Sequence, residues 1–243
     1  MKKAFLHNSN IISPLGFTTS QNFKAVCDGK IAMQNHTFNN TNYFAAVIEN
    51  KLLDDLFTTQ TRRDAKNFTR LEKMSILSIQ DVLNNSGTDV KSKRTLFIFS
   101  TTKGNIDLLE NNPPEIAESR VYLHETAQTI SNYFGFINQP IVVSNACISG
   151  LLAIIIAKRL LTDNQYDNII VTGADVVSTF TLSGLGVLGA LSTKACTPFD
   201  KTRAGINFGE AVASVLVSNR QKNGRAEIVS ASSANYANHI SGP

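Results

Sequence analysis

The chain has 243 residues, 42% of them apolar, which is enough for one large domain or two small ones with a sizeable core. The net charge of +4, from 23 basic and 19 acidic residues, is too small to indicate nucleic-acid binding, although it suits an acidic protein partner. The three cysteines are sparse and form no Cys-x-x-Cys pair, so we expect a reducing compartment and no zinc or redox site.

No targeting or membrane signal is visible in the sequence. The first eight residues lack the long apolar run of a signal peptide. The apolar run at 151–157 is far shorter than a membrane span. We therefore expect a soluble cytoplasmic protein with no membrane partner.

Turn and capping signals divide the first third of the chain. The predicted elements are a strand at 3–12, a helix from about 20 to 28, a loop at 30–45 and a long helix at 62–83. The strand ends at the turn signal Ser13-Pro14-Leu15-Gly16, and the first helix ends at Asp28-Gly29. The loop is polar and rich in Asn and Thr, whereas an apolar stripe at helical spacing marks the long helix.

A basic cluster lies at helical spacing within that last segment. Its members are Arg62, Arg63, Lys66 and Arg70. Such a cluster is usually a solvated helix face. The functional alternative is a docking patch for an acidic carrier protein.

Strands and helices alternate through the rest of the chain. The predicted elements are a strand at 94–100, a short helix opening at Gly104, a helix at 120–134, a strand and helix around Cys147, a strand at 168–172 and strands at 211–218 and 226–231. A turn through Asn223-Gly224 is predicted to join the last two strands. This alternation predicts an α/β fold with a partly parallel sheet.

The stretch at 141–150 is the one around which the chain is organised. Four strand-like residues lead into a turn of small residues that carries Cys147, and seven apolar residues follow at 151–157. A helix that is apolar on all sides is buried on all sides. We therefore predict that Cys147 lies at the start of an enclosed central helix.

That position has chemical consequences for Cys147. The thiolate is the reactive form of cysteine, and a helix N-terminus favours it. The unpaired N–H groups of the first helical turn can donate to an anion that forms beside the sulfur. Cys147 could then attack a carbonyl and hold an acyl group as a thioester. The alternative is that Cys147 is a small hydrophobic residue of the core.

The glycines at 184, 186 and 189 match the dinucleotide-binding fingerprint, but we reject that interpretation. The run does not directly follow a strand, and no acidic residue lies about twenty positions further on. We expect these glycines to let backbone segments pack closely near the cysteine.

Four segments, in order, resemble the β-ketoacyl-[acyl carrier protein] synthases, the condensing enzymes of fatty-acid and polyketide assembly. They are Ile12-Ser13-Pro14-Leu15-Gly16, Ala146-Cys147-Ile148-Ser149-Gly150-Leu151, Gly173-Ala174-Asp175, and Pro198-Phe199-Asp200-Lys201-Thr202-Arg203-Ala204-Gly205 with Gly209-Glu210-Ala211. The resemblance implies the first half of a thiolase-like fold, a mixed five-stranded sheet with helices on both faces, across residues 1–243. It also implies that Cys147 is the acyl-accepting nucleophile, with acyl carrier protein as partner and no metal, nucleotide or other cofactor.

The last motif also has a local rationale. Asp200 and Arg203 could pair across one of its turns, which would make the segment structural.

The sequence departs from the family pattern at several places. The first strand carries His7-Asn8-Ser9-Asn10 where the family has glycines, and Ala204 stands at a position that is commonly acidic. Full synthases are much longer, and their second half carries two histidines that drive decarboxylation of the malonyl partner. The histidines of this chain, at 7, 36, 124 and 239, match neither motif, so we expect structural or exposed roles for them.

Three functions remain open at this level. The first is an elongating condensing enzyme that makes a β-ketoacyl product from an acyl thioester on Cys147 and malonyl-carrier, working as a homodimer or with a related synthase. The second is a non-catalytic subunit, like a chain-length factor, that partners a full synthase. The third is a cysteine hydrolase, which the flanking Asn145 and Ser149 disfavour because a nucleophile elbow has paired glycines.

Overall fold

The computed structural model describes residues 2–38 and 41–234. Its strands are β1 (Phe5–Ile12), β2 (Gln34–Phe38), β3 (Thr41–Ala46), β4 (Thr95–Ser100), β5 (Ile141–Val143), β6 (Asn168–Asp175), β7 (Phe208–Gly209), β8 (Ala211–Ser218) and β9 (Ala226–Glu227). Its helices are α1 (Thr19–Cys27), α2 (Asn50–Thr61), α3 (Arg70–Asn84), α4 (Leu123–Phe134), α5 (Ser149–Thr162) and α6 (Thr179–Val187), with short 3-10 helices at Ala65–Asn67, Ile106–Leu109 and Glu118–Val121.

The main sheet is mixed and has the strand order β5-β4-β6-β8-β1-β9. Strands β5, β4 and β6 run parallel, whereas β8 is antiparallel to both β6 and β1. This confirms the predicted mixed sheet, although it has six strands and not the predicted five. A sixth strand, β9, adds two residues at the outer edge of β1.

Helices cover both faces of this sheet, as predicted, and β4 shows how the sequence achieves it. Every residue of β4 is buried, as expected for a strand that is covered on both sides. Phe97 and Phe99 belong to the core formed with α2, α3 and α4. Leu96 and Ile98 belong to the core formed with α5 on the opposite face. Successive side chains of a strand point to opposite faces, so one apolar run serves two cores.

The loop predicted at 30–45 is wrong for most of its length, because β2 and β3 form an antiparallel hairpin there. Strand β7 adds to the hairpin as a parallel third strand. The Phe38 and Tyr43 rings lie 6.2 Å apart and pack on a small core of their own. Most of the other β2 and β3 residues are polar and at least partly exposed, which is why the segment has no strand-like apolar pattern.

The long helix predicted at 62–83 is wrong at its start. Arg62 adopts a left-handed conformation, with φ of 56°, and ends α2 instead. Helix α3 begins at Arg70, where the Thr69 side chain and Glu72 form a reciprocal capping box. Similarly, the helix predicted at 120–134 begins at Leu123, after a 3-10 turn.

The predicted pairing of the last two strands is also wrong. Strand β8 lies between β6 and β1, so both of its edges are occupied. The chain does turn at Asn223, whose φ is 66°, and then passes to the far edge of β1, where Ala226 pairs with Leu6. Because β1 already occupies the second edge of β8, the late strand β9 pairs with the other edge of β1.

Helix α5 is enclosed on one face only by the described residues. Ala153, Ala157 and Leu161 are buried against the sheet. Leu151 is 61% exposed, and the isoleucines at 154 and 156 are only partly buried. The helix is therefore apolar on a face that the described chain leaves uncovered.

Candidate functional site

Cys147 lies in a sharp connection between β5 and α5, which we call the elbow (residues 144–149). The connection is short because β5 ends at Val143 and α5 begins at Ser149. Ala146 has a φ of +44°, a left-handed conformation that costs a residue with a Cβ about 1–2 kcal/mol. The Ile148 N–H donates to the Asn145 carbonyl, and the Ser149 N–H donates to the Ala146 carbonyl, both at 3.2 Å.

The side chain of Ser149 also bonds within the elbow. Its Oγ accepts from the Asn145 N–H at 2.8 Å and donates to the Ala146 carbonyl oxygen at 2.7 Å. Ser149 is buried, and the N-cap residue Ile148 makes no side-chain capping bond. The hydroxyl therefore joins the first residue of α5 to the backbone before Cys147.

Cys147 is exposed and lies two residues before the first residue of α5. Its backbone N–H has no hydrogen-bond acceptor among the described residues, so this donor is free to bind an oxyanion. The predicted strand–cysteine–helix order is thus present, and Cys147 is not a core residue in the described chain. Cys27, at the end of α1, and Cys196, whose N–H donates to Asn207 Oδ1, have no comparable setting.

A second group of polar residues lies at the same edge of the sheet, where the parallel strands end. The Asp175 carboxylate, at the end of β6, accepts from the Thr101 hydroxyl at 3.2 Å and from the Thr102 N–H at 2.9 Å. Ser144 Oγ approaches the Thr102 carbonyl oxygen at 3.5 Å. These bonds hold the loop after β4 beside the elbow. The predicted Gly173-Ala174-Asp175 segment forms the last part of β6 and does not follow the strand.

Thr101 and Thr102 were missed in the sequence, although two threonines directly after a fully buried parallel strand are a usable signal. Close packing explains the neighbouring glycine, because a Cβ on Gly173 would lie 3.2 Å from Ser100 Oγ. Larger residues at 173 would therefore push on the strand beside the elbow.

The segment from Asp200 to Glu210 is structural at both ends, but the predicted side-chain pair is wrong. The Asp200 carboxylate accepts from the Thr202 hydroxyl and N–H, which lower the pKa of this carboxyl below its ordinary value. Arg203 Nη1 donates to the backbone carbonyl of Asp200 at 3.1 Å. At the other end, the fully buried Glu210 carboxylate accepts from the Ile48 N–H and pairs with Arg70.

This ion pair separates Arg70 from the other three members of the basic cluster. Arg70 points into the protein, and its side chain is only 13% exposed. Arg62, Arg63 and Lys66 are exposed and form no ion pair among the described residues. The exposed cluster therefore comprises three cations on the connection between α2 and α3.

None of the histidines in residues 2–38 and 41–234 is hydrogen-bonded to the elbow. His7 is buried, with its Nε2 atom 3.0 Å from the Arg220 carbonyl oxygen. His36 lies in β2, and His124 is exposed beside Glu125. His239 lies outside the described residues.

The glycine run lies in and just after α6, and the N-terminus of that helix is closed by a carboxylate. Glu110 accepts from the Thr179 and Phe180 N–H groups at 3.0 and 2.7 Å. The predicted close packing of the glycines is wrong, since a Cβ on any of Gly184, Gly186 or Gly189 would meet nothing within 4 Å among the described residues.

Comparison with known proteins identifies the family to which this chain belongs. The family described as "Beta-ketoacyl synthase, N-terminal domain" matches residues 16–223. The chain belongs to the β-ketoacyl synthase family. It is 24% identical to the 3-oxoacyl-[acyl-carrier-protein] synthase 2 of Vibrio harveyi, over 100% of this chain and 65% of that protein. It is also 24% identical to the enzyme of the same name from Vibrio cholerae, with the same coverage.

Solved structures agree on the thiolase-like fold of this β-ketoacyl synthase half. A ketosynthase in complex with its chain length factor, from Xenorhabdus doucetiae, superposes with a TM-score of 0.75 at 17% identity, covering 90% of this chain and 58% of that one. A β-ketoacyl synthase from Burkholderia phymatum gives a TM-score of 0.73 at 18% identity, with coverages of 91% and 60%. The chain thus spans about three fifths of the length of these neighbours. Among the described helices, none has the length and apolar content needed to cross a membrane.

Proposed function

We propose that this chain carries the nucleophile of a 3-oxoacyl-[acyl carrier protein] synthase and that Cys147 is that nucleophile. The exposed position of Cys147 on the elbow, directly before α5, supports the proposal most strongly. A thiolate at this position attacks the thioester carbonyl of an acyl-carrier protein. The acyl–sulfur bond to the carrier breaks, the carrier leaves as a thiolate that takes up the proton released when Cys147 ionised, and the acyl group remains on Cys147 Sγ.

The backbone of the elbow supplies part of the catalysis. As the tetrahedral intermediate forms, negative charge develops on the former carbonyl oxygen. The Cys147 N–H, which has no acceptor among the described residues, is a donor for that oxygen. One such donor typically contributes a factor of about 10²–10³ to the rate.

The second half-reaction joins this acyl group to a malonyl unit. Malonyl-carrier loses CO₂, the resulting carbanion attacks the thioester carbonyl, and the Cys147 thiolate leaves as the β-ketoacyl-carrier product forms. The decarboxylation requires the two histidines that the family resemblance assigns to the second half of a synthase. We propose that a further segment or a partner chain supplies them.

The three exposed cations at 62, 63 and 66 are the proposed docking point for the acidic carrier. Unpaired charges on a surface steer an oppositely charged partner, and the effect weakens as salt screens it. Strand β5 is the proposed site of pairing with a second synthase chain, because within the described part of the chain only one of its edges is hydrogen-bonded, to β4.

Mass spectrometry of the intact protein tests the nucleophile. The chain is incubated with an acyl-carrier thioester, and the mass gain of one acyl group is measured for wild type and for the Cys147→Ala and Cys27→Ser variants. We expect the gain in wild type and in Cys27→Ser, whose replaced cysteine is also exposed, but not in Cys147→Ala. Equal labelling of all three proteins would reject Cys147.

A second function, a non-catalytic subunit that shapes an acyl cavity for an active partner, is supported by two observations. A neighbour among the solved structures pairs a ketosynthase with a chain length factor, and α5 here has an uncovered apolar face. Tight co-purification with a full-length synthase, together with no acylation of Cys147, would favour this second function over the first.

A further inference from the structure

The hydroxyl group of Ser149 connects the two sides of the elbow on either side of Cys147. Ser149 Oγ accepts from the Asn145 N–H at 2.8 Å and donates to the Ala146 carbonyl oxygen at 2.7 Å. Ser149 is only 4% exposed, so its hydroxyl is shielded from bulk water, although the residues at the other end of the two bonds, Asn145 and Ala146, are exposed. The hydroxyl thus connects the two residues before Cys147 with the first residue of α5.

The conformation of the elbow requires such a connection. Ala146 is held at a φ of +44°, which an alanine adopts only when the surrounding structure enforces it. The Asn145 N–H has no acceptor other than Ser149 Oγ among the described residues. Without the hydroxyl, the Asn145 N–H loses the one acceptor that the described residues offer it, and the Ala146 carbonyl keeps a single partner, the Ser149 N–H at 3.2 Å.

Acyl transfer depends on the orientation that the elbow sets. The Sγ atom of Cys147 must reach the carbonyl carbon while the N–H of the same residue reaches the carbonyl oxygen. Both directions follow from the backbone dihedral angles at 146–148, and a displacement of about 1 Å at a reacting group can cost about 10²-fold in rate.

We propose that Ser149 is a positioning residue for Cys147: its hydroxyl holds the strained elbow so that the thiolate and the Cys147 N–H act on one acyl group. The proposal rests on the acyl-transfer function proposed above. It assigns Ser149 no contact with the substrate.

Ser149→Thr and Ser149→Val are the matched variants, because the two side chains have nearly the same shape and only threonine keeps the hydroxyl. Both are made in the full chain with Cys27→Ser and Cys196→Ser, so that Cys147 is the one reactive thiol. The rate of acylation by an acyl-carrier thioester is measured as a function of carrier concentration. Relative to Thr, we expect Val to lower the limiting rate at least about tenfold, with the half-saturating carrier concentration unchanged within about twofold.

Two further measurements separate positioning from a general loss of structure. Alkylation of Cys147 by iodoacetamide needs no oxyanion donor, so its rate should differ less than about threefold between the variants. Hydrogen exchange of the Asn145 amide should be at least about tenfold faster in Val than in Thr, because its acceptor is gone. Ser149→Ala, which adds no bulk, replaces Val if that variant does not fold.

The outcomes are distinct. Equal acylation rates in the Thr and Val variants, or equal Asn145 exchange, would overturn the role of Ser149 while leaving the function intact. A wild-type protein that is not acylated would instead overturn the proposed function, and this proposal with it.

Discussion

A buried carboxyl group beside the ion pair of Glu210 gives a quantitative test of the structure. Asp107 lies in the 3-10 helix Ile106–Leu109, and its Oδ1 atom is buried with no hydrogen-bond partner among the described residues. Burial, the largest cause, and the neighbouring Glu110 carboxylate together raise the pKa of the Asp107 carboxyl from 3.8 to about 6, against the opposing effects of a backbone hydrogen bond and of Arg70. We predict that Asp107→Asn, which removes the charge and keeps the shape, stabilises the protein at neutral pH.

The size and sign of this effect follow from the pKa. A shift from 3.8 to about 6 corresponds to about 3 kcal/mol of unfavourable free energy once both states are ionised, since one pKa unit is about 1.4 kcal/mol. A cavity of about 380 Å³ borders Asp107 and admits solvent, so we expect a gain of about 1–3 kcal/mol. The folded state binds the proton more tightly than the unfolded state. The contribution of Asp107 to stability is therefore most favourable below pH 3.8 and is lost as the pH rises through about 6.

Urea denaturation of wild type and Asp107→Asn at pH 7.5 and pH 4.5 measures this effect. The gain should be about 1–3 kcal/mol at pH 7.5 and fall to about 1 kcal/mol or less at pH 4.5. The control is Asp163→Asn at an exposed position after α5, where we expect a change within about 0.5 kcal/mol at both pH values. A gain that does not depend on pH, or a loss at pH 7.5, would refute the reasoning.

Three other changes test the packing around the site and the charges of the surface. Arg70→Met should destabilise the protein by about 3–5 kcal/mol in thermal or urea unfolding, because the fully buried Glu210 carboxylate loses its cation; a cost below about 1 kcal/mol would contradict the buried pair. Gly205→Ala should cost more than about 2 kcal/mol, since φ is +112° and a Cβ would lie 2.6 Å from the Ala190 carbonyl oxygen. Gly29→Ala, at an open position with φ of +68°, should cost only about 1 kcal/mol, and equal losses at the two glycines would argue against this packing. Replacing Arg62, Arg63 and Lys66 by alanine should change stability by less than about 1 kcal/mol but weaken carrier binding, with a smaller dependence on salt; an unchanged affinity at low salt would remove the docking proposal.

Strands and helices could be predicted from the sequence where a local apolar pattern determines them. Strand β4 contains the apolar run at 96–99 and was predicted to within one residue of its observed start. The β5–elbow–α5 order was predicted for the same reason, because apolar runs on both sides leave the cysteine on the turn between them. The family motifs lie on these segments, and the comparisons confirm the family.

The failures come from interactions that are distant in sequence. Strands β2 and β3 consist mostly of polar residues, and the pairing of β3 with β7 depends on residues more than 160 positions away. The start of α3 is set by the capping box of Thr69 and Glu72, and the same Glu72 carboxylate pairs with the distant Arg120. No window of local sequence contains that ion pair.

The role of Ser149 was hidden for a different reason. A serine before an apolar helix reads as an ordinary small residue. Its significance follows from the left-handed Ala146, a conformation that the residue type does not reveal. The uncovered face of α5 could not be predicted either. The apolar composition of the helix predicts that the face is buried, but it does not identify the residues that bury it.

Locating the acyl group in the wild-type chain tests most directly whether Cys147 is the nucleophile. After incubation with an acyl-carrier thioester, the protein is digested and the acylated peptide is identified by mass spectrometry. All three cysteines are free and compete for the acyl group. We expect an adduct on the peptide that contains Cys147, with little on the peptides of Cys27 or Cys196. An adduct distributed among the three cysteines, or confined to another one, would contradict this expectation.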